Sequence, residues 1–241
     1  KPPPRKSRSA PPSLPDVFSY VRKHLSAYGW ITLGMAAFGS LGYGLNAWAP
    51  AAAERTFDLS PAIVGRGLGI AVLAGSLTGI IAGGLLADTL AARRGPHMRL
   101  VVLMIAGTLI TPVALFAANA ATPEAALAAT GILFFLAAMP FSAGVAALQA
   151  ITPSAMRGQI SALYYASALV LAMIVGPALP PVISMIFLEG DETIGIALAW
   201  TLAGLGILGA VCLGRAIHGY RLASSDLNDA EIALQLALAG E

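Results

Sequence analysis

The chain has 241 residues, of which 57% are hydrophobic and 11% are charged, and its formal net charge is +2. Soluble domains usually carry about 25% charged residues, so this composition excludes a soluble globular protein. It predicts an integral membrane protein, in which the small net charge reflects membrane topology and not nucleic-acid binding.

Residues 1–26 are predicted to be a cytoplasmic linker. Six of the first fifteen residues are proline and four are basic, a composition that stays extended and solvated. A signal peptide would need an apolar core directly after its basic end, and none begins before Tyr28. We therefore expect this chain to be part of a longer protein.

Six apolar stretches follow, each long enough to cross a bilayer of about 30 Å as a helix. They cover residues 28–50, 61–87, 99–119, 123–151, 159–188 and 194–217. The sequence thus predicts an all-α membrane protein, a bundle of six transmembrane helices within residues 27–217. Residues 218–241 are predicted to be a cytoplasmic tail, with a short helix that starts at a capping box formed by Asn228 and Glu231.

Basic residues are distributed very unequally between the two sides that six crossings define. Only Arg55 and Arg66 fall on one side, against twelve on the other. Because cytoplasmic loops are rich in Lys and Arg, both termini are predicted to be cytoplasmic. The twelve are Lys1, Arg5, Lys6, Arg8, Arg22, Lys23, Arg93, Arg94, Arg99, Arg157, Arg215 and Arg221.

The second stretch has a small residue at every fourth position, which places these residues on one helix face. They are Gly67, Ala71, Gly75, Gly79, Gly83 and Ala87. Such a face lets another backbone approach closely. It serves either static packing or a smooth surface on which two helix bundles slide.

A charged turn joins the second and third stretches. Gly84, Asp88, Arg93 and Arg94 follow one another within eleven residues, which indicates a contact at the helix end that governs conformation. The turn before the fifth stretch has a similar but smaller pattern, a single arginine, Arg157, followed by Gly158. There the arginine can bind carbonyls of a neighbouring helix end, an acid from another bundle, or lipid headgroups.

Prolines interrupt three of the stretches, and each frees a carbonyl and permits a bend. They are Pro112, Pro140 and the cluster Pro177, Pro180 and Pro181. Helix starts are marked at Ser60-Pro61 and Thr122-Pro123, where a capping hydroxyl precedes proline.

No Asp, Glu, Lys or His lies deep in an apolar stretch. A membrane protease or metalloenzyme needs such groups for proton transfer or metal binding, so we predict no enzyme, no metal site and no cofactor. A coupling group for proton-driven transport would have to lie outside these residues.

Uncharged polar side chains remain as candidates to line a cavity. Asn46 serves either helix–helix hydrogen bonding or substrate contact, and Trp48 either an interfacial aromatic belt or ligand stacking. Arg66 either extends outward to the membrane surface or attracts an anionic ligand in an outer vestibule.

Several motifs occur in an order and spacing that is similar to one known family. They are Gly84-x-x-x-Asp88 with Arg93-Arg94, Ala47-Trp48-Ala49-Pro50, Ile63-Val64-Gly65 to Gly69, Pro140-Phe141 to Leu148-Gln149, Pro153 with Met156-Arg157-Gly158-Gln159, and Gly176-Pro177. Over nearly its whole length the chain resembles the C-terminal six-helix half of a major facilitator superfamily transporter, in particular of the spinster-like group found in bacteria.

The resemblance implies a secondary transporter, a symporter or antiporter, of twelve helices in two halves that work by alternating access. The N-terminal six-helix half would then be missing from this chain. The transporter would move a small organic solute (an organic anion, a sugar or a lipid-like molecule) across the bacterial cytoplasmic membrane. The alternative is a stand-alone six-helix transport or channel protein that homodimerises through the glycine face.

The resemblance also assigns roles to residues. Asp88 would contact a helix of the opposite half, and Arg93 and Arg94 would contact acids nearby. Together with Gly84, Arg157 and Gly158, these residues form the predicted conformational gate. The predicted substrate cavity consists of Tyr43, Asn46, Gln149 and Tyr164.

Overall fold

A computed structural model describes residues 12–188 and 193–239, and in this part of the chain all regular structure is helical. Eight helices follow one another: α1 Leu14–Lys23, α2 Leu25–Phe57, α3 Pro61–Arg94, α4 Met98–Ala118, α5 Pro123–Ala138, α6 Pro140–Ala150, α7 Arg157–Phe187 and α8 Ile194–Ala239. The predicted all-α membrane fold is confirmed.

Five helical segments of the described chain are long and apolar enough to cross a membrane: α3, α4, α5 with α6, α7 and most of α8. Helix α2 has 33 residues, about 50 Å of helix, so its length is sufficient. It is not, however, among the five segments that are also apolar enough. The number of six crossings therefore stays a prediction.

Helix α1 was not predicted, because the surrounding prolines favoured an extended linker. Its start is stabilised by Asp16, whose carboxylate accepts hydrogen bonds from the backbone N–H and the hydroxyl of Ser13. Pro15 lies in the first turn, where a missing N–H costs nothing. The capping interaction of Ser13 with Asp16 thus favours a helix here, in spite of the proline-rich composition around it.

The separate tail helix with a cap at Asn228 was wrong. Helix α8 continues without a break through the polar residues Ser224 to Asp226. Asp226 is held at 2.9 Å by the Nζ atom of Lys23 at the end of α1. A long helix with a polar C-terminal part is compatible with strong helix formers such as Ala and Leu, and hydropathy cannot distinguish it from two helices.

The fourth stretch, 123–151, is divided at Met139 into α5 and α6. Pro140 has no N–H to bond to the carbonyl of Leu136, so the helical ladder is interrupted there. The observed division agrees with the bend that Pro140 predicts.

Helix α2 lies at the centre of the bundle. Its principal partners are α8 and α7, while α4 packs mainly on α8 and α3 on α5. Glycines permit close crossings: a Cβ on Gly107 would lie 2.8 Å from the Gly206 carbonyl oxygen, and one on Gly206 would lie 2.6 Å from that of Gly107. The α4–α8 contact therefore depends on two facing glycines.

Two helices are much less buried than the rest. In the most apolar part of α3 and of α7, 22% and 17% of the residues are buried, against 61% in α8. Their exposed side chains are large and apolar, for example Leu73 and Leu77 in α3 and Met173 and Ile174 in α7. This chain thus has two apolar helix faces that its own helices leave uncovered.

Candidate functional site

A cavity of about 70 Å³ lies between α2, α6 and α7. It contains the aromatic rings of Phe38, Tyr43, Phe141, Tyr164 and Tyr165, and no charged side chain lines it. Tyr164 is buried, and its ring lies 5.2 Å from that of Tyr165, centroid to centroid. We call this the tyrosine cavity. Its walls can accommodate apolar or aromatic groups and offer phenolic hydroxyls as hydrogen-bonding partners.

Close contact between α2 and α7 forms one side of this cavity. A Cβ on Gly39 would lie 2.8 Å from the Cβ of Ala172, and one on Gly44 would lie 3.0 Å from the carbonyl oxygen of Gly176. The glycines of α2 therefore let α7 approach at backbone distance. That approach positions Tyr43 beside the two tyrosines of α7.

Trp48 adds a hydrogen bond to the same contact. Its Nε1 donates to the carbonyl oxygen of Pro177 at 2.8 Å. In a regular helix that carbonyl would bond to the N–H of residue 181, but residue 181 is proline and has none. The indole N–H thus satisfies a backbone acceptor, a role that neither the belt nor the stacking hypothesis predicted.

The four predicted cavity residues do not all meet. Tyr43 and Tyr164 line the tyrosine cavity, whereas Asn46 and Gln149 do not. Asn46 is exposed, and its Nδ2 donates to the Gly42 carbonyl of its own helix at 2.8 Å. Gln149 is exposed near the end of α6. Tyr165, which is not one of the four predicted residues, lies in the cavity instead.

The charged turn between α3 and α4 contains an ion pair. Oδ1 of Asp88 accepts hydrogen bonds from Nε and Nη2 of Arg99 at 3.1 and 3.0 Å. The side chain of Arg99 is 20% exposed and that of Asp88 is 62% exposed. Asp88 therefore has one partner inside this chain and an open side toward a second one.

From the sequence, Arg99 was interpreted only as a sign of topology, and its pairing with Asp88 was not predicted. The sequence feature that could have indicated the pairing is Gly95. In the structure Gly95 forms a tight loop with φ of +101°, a backbone conformation suited to glycine. Such a loop brings the end of α3 next to the start of α4. Arg93 and Arg94 are exposed in the last turn of α3, and among the described residues no ion pair involves them.

The small-residue face of α3 packs against α5. A Cβ on Gly83 would lie 2.6 Å from the carbonyl oxygen of Met139, and Gly75 and Gly79 approach the backbone of α5 in the same way. At Gly84 the nearest atoms belong to Ser142, at 3.4 Å. Gly83, and not Gly84, is thus the residue at which the two backbones approach closely. Static packing of α3 on α5 within the chain explains the small residues on this face.

Carbonyl groups at the end of α6 are bound by side chains from three other segments. The hydroxyls of Tyr20 and Tyr28 both donate to the Ile151 carbonyl, at 2.9 and 3.1 Å. Nε of Arg157 donates to the Thr152 carbonyl at 3.1 Å. The Thr152 hydroxyl in turn lies 2.8 Å from that of Tyr28. Arg157 thus binds carbonyls at a neighbouring helix end, one of the three roles considered for it.

Gly158 has open space around its α-carbon, so no close contact requires glycine there. Sequence reasoning missed Tyr20, Tyr28 and Thr152, because a lone hydroxyl near a helix end carries no spacing signal.

Loops that the topology places on one side do meet at one end of the bundle. Lys23 of α1 contacts α8 there, and Tyr20 of α1 contacts the α6–α7 loop. His97 in the α3–α4 loop lies near Arg221 of α8: burial lowers the pKa of His97, and the positive charge of Arg221 lowers it further. The guanidinium of Arg215 lies 5.5 Å from the ring centroid of Trp30. We call this the basic end of the bundle.

His24 lies buried at the basic end, between α1 and α2. Its Nε2 is 3.9 Å from Oδ2 of Asp226 and has no hydrogen-bonding partner among the described residues. Burial lowers the pKa of His24, the charge of Lys23 lowers it further, and Asp226 opposes both. The neutral imidazole is therefore favoured at this position.

Arg66 lies near the other end of the bundle, on the exposed side of α3. Its Nε turns back to the Ala62 carbonyl at 3.3 Å, toward the start of its own helix. A second cavity, of about 180 Å³, lies at this end; most of its lining side chains are apolar, and Thr56 and Thr130 contribute hydroxyls.

Among the described residues, no group of three or more His, Cys, Asp or Glu side chains is arranged to hold a metal ion.

Comparison with known proteins identifies the fold. The chain is similar to a bacterial homologue of the human lysosomal transporter Spinster in an inward-facing, unoccupied conformation, with 17% identity and a TM-score of 0.64, covering 93% of this chain and 52% of that one. The same homologue in an inward-facing, occupied conformation gives 18% identity and a TM-score of 0.59, covering 83% and 49%. This chain thus spans about half the length of these structures.

Among curated proteins, none matches the chain. The family model of the Major Facilitator Superfamily matches residues 1–177. On this match, which covers well over half of the sequence, the chain belongs to the Major Facilitator Superfamily.

Proposed function

We propose that the chain is the C-terminal half of a secondary active transporter, not an enzyme, and that it moves a small organic solute across the cytoplasmic membrane by alternating access. The uncovered faces of α3 and α7 carry this proposal. In a membrane, such a face packs either on lipid or on a second bundle. The solved neighbours are about twice as long as the matched region, which favours a second bundle. The tyrosine cavity, which borders α7, would then lie on the pathway between the halves.

The two solved neighbours support the proposal. Each is about twice as long as the matched region, and both are described as inward-facing, one unoccupied and one occupied. By analogy, this chain would need an N-terminal six-helix partner to enclose a substrate. An uncharged aromatic wall would contact an apolar or uncharged part of the solute, and any charged group of the solute would be recognised from the other half.

We assign the gate to the Asp88–Arg99 pair at the basic end. Asp88 is mostly exposed although it is paired, so an opposing helix can reach it when the two halves close on that side. Arg99 holds the carboxylate in position for this second contact. Arg93, Arg94 and Arg157 lie nearby in sequence or at the same end and would support the closed state, while Gly84 and Gly158 leave room for an approaching helix.

Uptake or efflux by the full-length protein tests the proposal, with a panel of organic anions, sugars and lysolipids in cells or proteoliposomes. We expect Asp88→Asn to change transport by roughly 5- to 150-fold, since couplings of this kind are worth about 1–3 kcal/mol. Asp229→Asn is the matched control, because it removes an exposed carboxylate of α8 that forms no ion pair among the described residues.

Three results are informative. Unchanged transport in Asp88→Asn would refute the gate and leave the transporter class intact. Equal losses in Asp88→Asn and Asp229→Asn would indicate a general effect of charge. Failure of the wild-type protein to move any solute of the panel above the empty-membrane background would contradict the transporter itself.

The alternative, a six-helix protein that dimerises through the glycine face, is less well supported. Gly75, Gly79 and Gly83 are buried against α5 of the same chain. This packing within the chain weighs against a dimer contact through the same three glycines.

A further inference from the structure

Helix α1 has three distinct sides. Val17, Tyr20, Val21 and His24 face the bundle, with Val17 and His24 buried. Ser19 and Lys23 lie on an exposed polar side. Between these sides, Leu14, Phe18 and the following Leu25 are 63%, 57% and 59% exposed.

The direction of this apolar stripe is fixed by the contacts of the bundle side. Tyr20 binds the Ile151 carbonyl at 2.9 Å, and Nε2 of Gln159 donates to the Pro12 carbonyl at 3.1 Å. These two bonds hold both ends of α1 against the α6–α7 loop and the start of α7. The helix therefore cannot rotate to bury Leu14 and Phe18 under the bundle.

Positive charge flanks the stripe. Arg22 and Lys23 lie in the last turn of α1, and Arg157 starts α7, which α1 contacts. All three are exposed, and Asp16 is the single acid of α1. At about 100° per residue, Arg22 lies between the apolar stripe and the polar side of the helix.

We propose that α1 is an interfacial helix that binds the bilayer surface through anionic lipid headgroups. Leu14, Phe18 and Leu25 lie among the upper acyl chains, and Arg22 contacts the phosphate groups. An apolar side, a basic flank and a polar side facing water are what a helix at the headgroup boundary requires. The inference needs only that the protein is membrane-embedded, and it does not depend on transport.

Spin labels in the full-length protein test this placement. Phe18→Cys and Ser19→Cys are adjacent but lie about 100° apart around the helix, so they form a matched pair. Each labelled protein is reconstituted into bilayers of phosphatidylcholine with phosphatidylglycerol, and collision rates with oxygen and with a water-soluble nickel chelate are measured. Protein without an added cysteine supplies the background, since Cys212 is buried.

We expect the label at position 18 to collide mainly with oxygen, at a depth of roughly 5–10 Å below the headgroups, and the label at position 19 to collide mainly with nickel. Access of both labels to nickel would overturn the proposal by placing the stripe in water. Shielding of position 18 from both reagents would also overturn it, because protein from the other half or from a second copy would then cover the stripe.

The preference for anionic headgroups has its own measurement. In Phe18→Trp, with the parent protein subtracted, brominated phosphatidylglycerol should quench fluorescence more than the same fraction of brominated phosphatidylcholine. Arg22→Gln should abolish that difference without moving the depth of position 18. Equal quenching by both lipids in Phe18→Trp would refute the preference of α1 for anionic headgroups. An unchanged difference between the two lipids in Arg22→Gln would show that Arg22 does not bind the headgroups.

Discussion

The carbonyl oxygen of Pro177 is an acceptor whose helical donor is missing, and Trp48 supplies a replacement from another helix. A buried polar group without a partner costs free energy, so the proline of α7 and the tryptophan of α2 are energetically linked. The sequence shows both residues, but their 129-residue separation hides the link. Side-chain pairs of this kind require the three-dimensional crossing to be known.

This link predicts a non-additive effect. Trp48→Phe should lower stability by about 1 kcal/mol and thus lower the melting temperature. In a Pro181→Ala background, residue 181 regains its N–H and can bond to the Pro177 carbonyl, so the same Trp48→Phe change should cost less. Melting temperatures of the four purified full-length variants in detergent measure the coupling. Equal losses in both backgrounds would show that the hydrogen bond contributes nothing.

Asp88 illustrates how far residue-level reasoning extends. Its spacing from Gly84 and from the two arginines of α3 marked it as part of a contact at a helix end, and it does lie in an ion pair. The partner, Arg99, was assigned to topology alone, because spacing along one helix cannot show which residue of the next helix faces the carboxylate.

At the scale of helices, the apolar stretches predicted starts better than ends. The starts at Pro61 and Pro123 coincide with the structure, because proline is favoured in the first turn of a helix. At Pro123 the Thr122 hydroxyl also accepts a hydrogen bond from the Ala125 N–H, whereas Ser60 forms no side-chain cap. Ends are harder, since a helix that leaves the apolar layer continues as long as its residues favour helix. Helix α3 thus extends seven residues beyond the predicted 87, to Arg94.

The α3–α5 contact yields a prediction from two adjacent glycines. Gly83→Ala places a methyl group against the Met139 backbone, which cannot move aside easily, so we expect a loss of about 1–3 kcal/mol. Gly84→Ala meets only the Ser142 side chain at 3.4 Å, and alanine favours helix by up to about 1 kcal/mol. It should therefore be neutral or slightly stabilising.

Thermal unfolding of the two full-length variants, followed by size-exclusion fluorescence, measures this contrast. A matching loss in Gly84→Ala would indicate that the α3 face approaches α6 as closely as it approaches α5. An unchanged unfolding temperature in Gly83→Ala would show that α3 and α5 separate readily. It would support the interpretation that the small-residue face of α3 is a surface on which helix bundles slide.

For the whole molecule, the sequence predicted the class and the half-fold because both follow from composition and from the order of the motifs. It could not predict which residues meet in the cavity. Tyr43 and Asn46 are close in sequence, yet one points into the tyrosine cavity and the other back to its own helix. That outcome depends on where α7 crosses α2.

A substituted-cysteine experiment distinguishes a solvated pathway from lipid in the full-length protein. Thiols react through the thiolate, which forms in water and not in lipid. Tyr43→Cys, in the tyrosine cavity, should react with a membrane-impermeant methanethiosulfonate, and substrate should slow the reaction. Leu208→Cys lies on an exposed apolar part of α8 and should stay unmodified. Equal reactivity at the two positions would argue against a pathway along this cavity.

The pairing of α2 with α8 has a consequence for biosynthesis. Helix α2 is the first long helix of the chain, and its principal partner is the last. At about 5–20 residues per second, the ribosome needs roughly 7–27 s to pass from residue 57, the end of α2, to residue 194, where α8 begins. Throughout that interval α2 is without its main neighbour, so a ribosome that stalls before α8 would release a bundle whose central helix lacks its principal packing partner.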